Sequence, residues 1–150
     1  MLQAGDGAPD FQLDSTQGTS IRLYDVLAQS QAVLFFYPKA FTPVCTAEAC
    51  GFREAYPHFQ EHNSALFGIS SDHANVATRF AERYRLPFPL LIDRGGAVRN
   101  LFGVPKLFGL VPGRATFVIA QDGIIRHVTV AGFQSEVHVN ESLKWLEAGK

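Results

Sequence analysis

Two residues stand out for the chemistry that they can perform: Cys45 and Cys50, the only cysteines of the chain. Cys45 follows Thr42 and Pro43 at the predicted start of a helix, where threonine suits the cap and proline the first helical position. The first turn of a helix presents unpaired N–H groups and the positive end of the helix dipole, and both favour a thiolate over a thiol. The sequence therefore predicts a nucleophilic cysteine at position 45.

The spacing of the two cysteines limits how they can bond to each other. Five residues of intact α-helix separate two Cα atoms by about 8–9 Å and rotate the side chains by about 500°. A disulfide requires a Cα–Cα distance of about 4.4–6.8 Å. Cys45 and Cys50 therefore cannot bond while the helix is intact, but they can once its first turn unwinds. On spacing alone, a structural role for Cys50 as a small buried side chain is equally acceptable.

The elements that must position these cysteines alternate along the chain. Apolar runs and turn residues predict strands at residues 11–13, 20–23, 32–37, 65–70, 90–92, 115–120 and 124–130. Helical periodicity predicts helices at residues 42–62, with an irregularity near Pro57, and at 74–85, 97–102 and 135–148. This order predicts an α/β domain with a mixed sheet between helices and an N-terminal β-hairpin, the thioredoxin-like arrangement.

Length and composition restrict the class of protein. A chain of 150 residues is expected to form one domain, and 13 basic against 14 acidic residues give no electrostatic reason to expect a nucleic-acid or membrane partner. Two cysteines are too few for a disulfide-stabilised secreted scaffold. No signal-peptide pattern opens the sequence, so a cytoplasmic location is expected. We expect no metal or cofactor: His58, Glu61 and His62 match an inverted zinc-protease pattern but lack a third ligand nearby.

The residues around the cysteines resemble a known family. Tyr-Pro at 37–38 and Thr-Pro-Val-Cys-Thr-x-Glu at 42–48 are similar to the active-site motif of peroxiredoxins. Cys-Gly-Phe at 50–52 resembles their Q-type subgroup, also called bacterioferritin comigratory proteins, and the likeness continues through residues 68–72, 86–93 and 113–119. The resemblance implies a thioredoxin-like fold and thiol-dependent reduction of hydrogen peroxide and organic hydroperoxides.

The same resemblance assigns roles to individual residues. It makes Cys45 the peroxidatic cysteine and Cys50 the resolving cysteine of an intrachain disulfide, which thioredoxin, or else a glutaredoxin, would reduce. The other expected site residues are Thr42 and Arg114 as partners of the thiol, Glu48 as the residue that helps to hold the arginine, and Pro38, Pro43 and Val44 as residues that shape the pocket. Ala115 departs from the hydroxyl residue that often follows the family's arginine. A monomer is expected, with a dimer as the alternative.

Two other functions fit the same cysteine pair. A thiol–disulfide exchange protein acting on other proteins would prefer Cys-x-x-Cys, which the chain lacks. A peroxide sensor would use the pair to signal rather than to turn over substrate. The apolar segment 101–111 is interpreted either as packing against the active-site loop or as a patch for an apolar hydroperoxide, the reductant or a second subunit.

Overall fold

A five-stranded mixed sheet forms the centre of the computed structural model, which describes residues 1–107, 111–130 and 135–148. In chain order the elements are β1 (Gln12–Asp14), β2 (Ser20–Arg22), α1 (Leu23–Leu27), β3 (Gln31–Phe36), α2 (Pro43–Glu61), β4 (Ser64–Ser70), α3 (Ala74–Arg83), β5 (Leu90–Ile92), α4 (Ala97–Phe102), β6 (Lys106–Leu107), β7 (Val111–Pro112), β8 (Ala115–Ile119), β9 (Ile125–Thr129) and α5 (Ser135–Ala148). A single 3-10 turn, Arg94–Gly96, precedes α4. The predicted α/β class with a mixed sheet is confirmed.

The central sheet has the strand order β5-β4-β3-β8-β9. Strands β3, β4 and β5 run parallel, whereas β8 lies antiparallel to both β3 and β9. The predicted hairpin between β8 and β9 is present, and its turn contains Gly123 at φ +85°. The N-terminal hairpin is also confirmed, because β1 and β2 pair antiparallel with Leu13 opposite Ile21.

Strand β3 is buried on both faces, which explains why it is a continuous apolar run. Successive side chains of a strand point to opposite faces of the sheet. Ala32, Leu34 and Phe36 therefore pack into the core that includes α1 and α4. Val33 and Phe35 face the core that includes α2, α3 and α5. The sheet thus lies between two helical layers, as the pattern predicts.

The register between β3 and β8 brings distant parts of the sequence together. Phe36, the last residue of β3, pairs with Ala115, the first residue of β8. Tyr37 and Arg114, which flank this pair, are therefore neighbours at the same edge of the sheet. The loop that leaves β3 at this edge leads directly into α2. The first turn of α2 consequently begins close to Arg114.

Several boundaries and short elements differ from the predictions. Helix α2 continues through Pro57, which removes one main-chain hydrogen bond, because Phe52 and Phe59 on either side of it are fully buried. Helix α1 and the β6–β7 pair are missed because they are too short to show a period. In the apolar segment 101–111, Leu101 is exposed and Phe102 is buried, while residues 108–110 lie outside the described part. Among the described helices, none has the length and apolar character needed to cross a membrane.

Candidate active site

Cys45 occupies the first turn of α2, as the sequence predicts. Pro43 takes the first helical position after Thr42, and the amide of Thr46 donates to the carbonyl of Thr42 at 2.9 Å. The Cys45 side chain points into the protein and is 2% exposed. Its Sγ accepts a hydrogen bond from Nη2 of Arg114 at 3.1 Å. The sulfur therefore sits between the positive end of a helix and a guanidinium group.

Arg114 joins Cys45 to Glu48 through the two arms of its guanidinium. Nη1 donates to Oε1 of Glu48 at 2.6 Å while Nη2 donates to the sulfur. Glu48 lies three residues after Cys45 and therefore on the same face of α2. Glu48 is fully buried and Arg114 is 3% exposed. A planar guanidinium suits this arrangement, because its donors are fixed relative to one another and aim at two acceptors at once.

Burial and charge oppose each other in this pair. Burial raises the pKa of Glu48 to about 7, although the charge and hydrogen bond of Arg114 act to lower it. For Arg114, burial alone would lower the pKa, but the neighbouring Glu48 and Cys45 outweigh it and raise the pKa above its ordinary value. Arg114 is therefore a permanent cation, whereas Glu48 changes charge near neutral pH.

A second buried arginine fixes the two backbone segments that carry the site. Arg99 of α4 donates from Nη2 to the carbonyl of Tyr37 at 2.8 Å and from Nη1 to the carbonyl of Gly113 at 2.7 Å. The amides of Val98 and Arg99 donate in turn to the carboxylate of Asp93. Arg99 thus ties the end of β3 to the residue that precedes Arg114. The sequence reasoning missed this role, because an arginine in a short helix is usually a surface residue.

The loop before α2 is held from the end of β4. The amide of Ala40 donates to Oδ2 of Asp72 at 2.8 Å, and the hydroxyl of Ser70 donates to the same oxygen at 2.9 Å. Phe41 follows with φ at +66°, an unusual conformation for a residue other than glycine. Its ring lies against the rings of Phe80 and Tyr84. These contacts fix the path of the chain into the first turn of α2.

The Thr42 side chain does not do what the capping argument predicts. Thr42 is the residue before α2, but its hydroxyl donates to the carbonyl of Lys39 at 2.8 Å and forms no capping bond. The hydroxyl is thus used within the loop before α2. Its expected role as a partner of the Cys45 thiol stays a prediction.

Of the three residues expected to shape the pocket, Pro43 and Val44 directly precede Cys45 in α2, and Pro38 lies in the loop between β3 and α2. Pro38 and Val44 are half-buried and Pro43 is exposed. Their roles in shaping the pocket stay predictions.

Cys50 lies two turns from the start of α2, half-buried, and both cysteines carry free thiols. The helix between them is intact, which agrees with the argument that an intact helix keeps the two sulfurs apart. The structure therefore corresponds to a reduced state of the pair.

Beyond Glu48, a close polar contact and a hydrogen bond lead to residues that the sequence analysis does not single out. Nδ1 of His138, on α5, lies 3.6 Å from Oε2 of Glu48 and 2.7 Å from Oγ1 of Thr116 on β8. His138 and Thr116 are both buried. The spacing of His138 four residues before Ser142 and eight before Leu146 could have indicated that it lies on the buried face of α5.

No group of three or more histidine, cysteine, aspartate or glutamate side chains in the described part of the chain could hold a metal ion. His58 pairs weakly with Glu61, with 3.7 Å between Nδ1 and Oε2, and His62 lies near Glu147. The arrangement that can do chemistry is therefore the thiol–guanidinium–carboxyl cluster.

Comparison with known proteins identifies the family. The model of the AhpC/TSA family matches residues 4–128. The chain belongs to this family. Chloroplastic peroxiredoxin Q from Arabidopsis thaliana is 41% identical to this peroxiredoxin over 148 residues, which are 98% of the chain and 68% of the relative. Membership of this family and the similarity to this relative identify the protein as a thiol-dependent peroxidase.

Solved structures give the same assignment. Peroxidoxin BcpB from Mycobacterium tuberculosis superimposes with a TM-score of 0.92 at 38% identity, covering 100% of this chain and 99% of that one. The bacterioferritin comigratory protein of Xanthomonas campestris, whose alkyl peroxide reduction has been studied, superimposes with a TM-score of 0.85 at 27% identity, covering 93% and 91%. The resemblance to Q-type peroxiredoxins and the thioredoxin-like fold are confirmed.

Proposed function

We propose that this peroxiredoxin reduces hydrogen peroxide and organic hydroperoxides through Cys45, resolves the oxidised Cys45 with Cys50, and is recycled by a dithiol protein of the thioredoxin type. The observation that carries the proposal is the 3.1 Å hydrogen bond from Arg114 to the Cys45 sulfur at the start of α2. The position places a nucleophile beside a fixed positive charge.

The first step is attack of the Cys45 thiolate on one oxygen of the peroxide. A sulfur–oxygen bond forms, the oxygen–oxygen bond breaks, and the leaving alkoxide or hydroxide takes up a proton. Negative charge moves from the sulfur onto the oxygens during this step, so a cation along the attack line lowers the barrier. Arg114 is held there by Glu48 and cannot turn away into solvent, because both side chains are buried. The product is a sulfenic acid on Cys45.

The second step is condensation of the sulfenic acid with the Cys50 thiol. A disulfide forms and one water molecule leaves, so the sulfenic sulfur is reduced and the thiol is oxidised. The step requires the first turn of α2 to unwind, which breaks the bond between the amide of Thr46 and the carbonyl of Thr42. Helix ends open more readily than helix interiors, so this local unwinding is easier than unfolding of the whole helix.

The third step is thiol–disulfide exchange with an external dithiol. Thioredoxin is the reductant that the family suggests, with a glutaredoxin as the alternative. The unwound turn exposes the disulfide that such a partner attacks. A monomer in the cytoplasm is the proposed working form. Transmission of the oxidised state to a partner protein, without turnover, is the competing function.

The experiment that tests the cycle is stopped-flow reaction of the reduced protein with hydrogen peroxide and with an organic hydroperoxide. Cys45→Ser should abolish the reaction, whereas Cys50→Ser should permit one reduction per chain and no thioredoxin-linked turnover. Mass spectrometry of the oxidised wild type should show a bond between the two cysteines. Peroxide consumption that survives in Cys45→Ser would disprove the role of Cys45. Full turnover in Cys50→Ser would disprove the resolving step.

Slow single oxidation without turnover in the presence of thioredoxin would favour the sensor. Rapid reduction of protein disulfides without peroxide consumption would favour the exchange function. Peroxide turnover with thioredoxin and reduction of protein disulfides are both measured on the wild-type protein. Together the two assays distinguish the peroxidase, the sensor and the exchange protein.

A further inference from the structure

His138 is a buried polar side chain that the proposed cycle does not use. It lies on α5 and is fully buried, although imidazole is a group that usually keeps contact with water. Its Nδ1 faces two other elements, with Thr116 of β8 at 2.7 Å and Glu48 of α2 at 3.6 Å. Helix α5 thereby reaches the cluster that contains the reactive thiol.

Three contacts connect His138 to that thiol, and a fourth joins His138 to Thr116. The sulfur of Cys45 accepts from Nη2 of Arg114 at 3.1 Å, and Nη1 of Arg114 donates to Oε1 of Glu48 at 2.6 Å. Oε2 of Glu48 then faces Nδ1 of His138, and Thr116 fixes that nitrogen from the other side. Every member of this chain is at least nine-tenths buried, so none can exchange its neighbour for water without moving the backbone.

The Glu48 carboxyl needs a contact on its second oxygen to keep its orientation. Oε1 is occupied by Arg114, whereas Oε2 forms no hydrogen bond with any described residue. An oxygen of this kind is costly in a buried site unless a polar group lies beside it. Nδ1 of His138 lies 3.6 Å from Oε2, so the ring would have to move if the carboxyl rotated toward it. Rotation would move Oε1 and would turn the guanidinium with it.

We propose that His138 is a positioning residue for the peroxidase reaction: held by Thr116, its imidazole fixes Glu48, and Glu48 in turn aims Arg114 at the reacting atoms of Cys45. This inference rests on the proposed function of Cys45. No described contact joins His138 to the sulfur, so its proposed effect on the reaction passes through Glu48. The charged and titratable groups on this path are Cys45, Arg114 and Glu48.

The test uses two reactions of the same thiol. Attack on hydrogen peroxide requires Arg114 along the attack line, whereas alkylation by the neutral reagent iodoacetamide requires a thiolate but no oriented cation. Both rates are measured on the pH-independent plateau in a Cys50→Ser background, so that Cys45 alone reacts. The quotient is the rate of reaction with hydrogen peroxide divided by the rate of alkylation. It reports the orientation of Arg114, because the amount of thiolate and its accessibility affect both rates.

His138→Phe should lower this quotient by about 10-fold, the effect of losing about 1.4 kcal/mol of transition-state stabilisation. His138→Gln, which keeps a polar group near Oε2 and Thr116, should restore most of the loss. Ser142→Ala is the matched control: it removes an equally buried hydroxyl, which donates to the His138 carbonyl at 2.6 Å, without touching the ring. Its quotient should equal that of the wild type.

A quotient within 2-fold of the wild type in His138→Phe, or an equal loss in Ser142→Ala, would overturn the proposal. If His138→Phe does not fold, Thr116→Val decides, because it removes the hydroxyl that holds the ring: a quotient at least 3-fold lower supports the proposal and a smaller change refutes it. If the wild-type quotient is no higher than that of free cysteine, the proposed function of Cys45 fails instead. The two failures are therefore distinguishable.

Discussion

Replacing Glu48 with glutamine tests how strongly the protein resists ionisation of this carboxyl. The change keeps the shape of the side chain and one oxygen acceptor for Arg114, but it removes the charge. Burial raises the pKa of Glu48 from its ordinary value of 4.5 to about 7. The folded state therefore holds its proton over a pH range in which the unfolded chain has already lost it.

The direction of the pH dependence follows from this difference. The contribution of Glu48 to stability is complete below pH 4.5 and is lost as the pH rises through about 7. The loss corresponds to about 3 kcal/mol of the free energy of unfolding, as an order of magnitude. The glutamine variant has no such dependence. Its free energy of unfolding minus that of the wild type should therefore increase by about 3 kcal/mol between pH 4.5 and pH 8.

Urea unfolding of the reduced proteins at both pH values, followed by circular dichroism, measures this change. Glu54→Gln is the matched control on the same helix, because the Glu54 side chain is 73% exposed. Its difference from the wild type measures the effect of removing an exposed carboxylate from the same helix. A Glu48→Gln difference that is independent of pH would refute the reasoning. It would show that Arg114 compensates the burial of Glu48 completely.

Three further substitutions test other parts of the structure. Arg114→Lys should slow the reaction with hydrogen peroxide by about 10–100-fold in stopped-flow experiments, because an ammonium cannot reach both Cys45 and Glu48 in fixed geometry; an unchanged rate would remove Arg114 from the mechanism. Gly68→Ala should lower the free energy of unfolding by about 1–3 kcal/mol in urea, because a Cβ atom would lie 2.7 Å from carbons of Leu90 and Phe35; equal stability would show that these side chains move aside. Arg85→Gly should raise the free energy of unfolding by about 0.5–1 kcal/mol in urea, because glycine adopts the φ of +52° at this position without strain. A decrease would show that the arginine side chain makes a stabilising contact.

The parts of the site that lie within one helix were predictable from the sequence. Cys45 and Glu48 share a face of α2 because they are three residues apart, and Pro43 marks the start of that helix. The central strands were predictable for a similar reason, since β3 is apolar on both faces. Local spacing determines each of these features, so no long-range information is needed.

The partners of Cys45 from elsewhere in the chain were not predictable from spacing. Arg114 is 69 residues away, and its place in the site depends on the pairing of Phe36 with Ala115. The family resemblance predicted Arg114, but it gave no reason to select Arg99. That arginine resembles a surface residue in the sequence, and only the fold shows that it bridges two carbonyl groups beside the site.

Thr42 occupies the predicted cap position, but the expected capping bond of its side chain is absent. Capping preferences describe an average competition between acceptors and donors near a helix start. Here the hydroxyl donates to the Lys39 carbonyl at 2.8 Å and accepts no bond from the helix amides. The conformation of the loop before α2 decides the outcome, and no pattern of residue types specifies it.

The pairing of β3 with β8 has a consequence for how the protein acquires its reactivity. A slip of one residue between these strands would move Arg114 along the edge of the sheet and turn the side chains of β8 to the wrong face. The thiol would then meet peroxide without its guanidinium partner. Since this pairing joins segments about 80 residues apart, it is expected late in folding. The recovery of rapid peroxide reduction during refolding should therefore report when β3 pairs with β8, whereas the helices can form earlier.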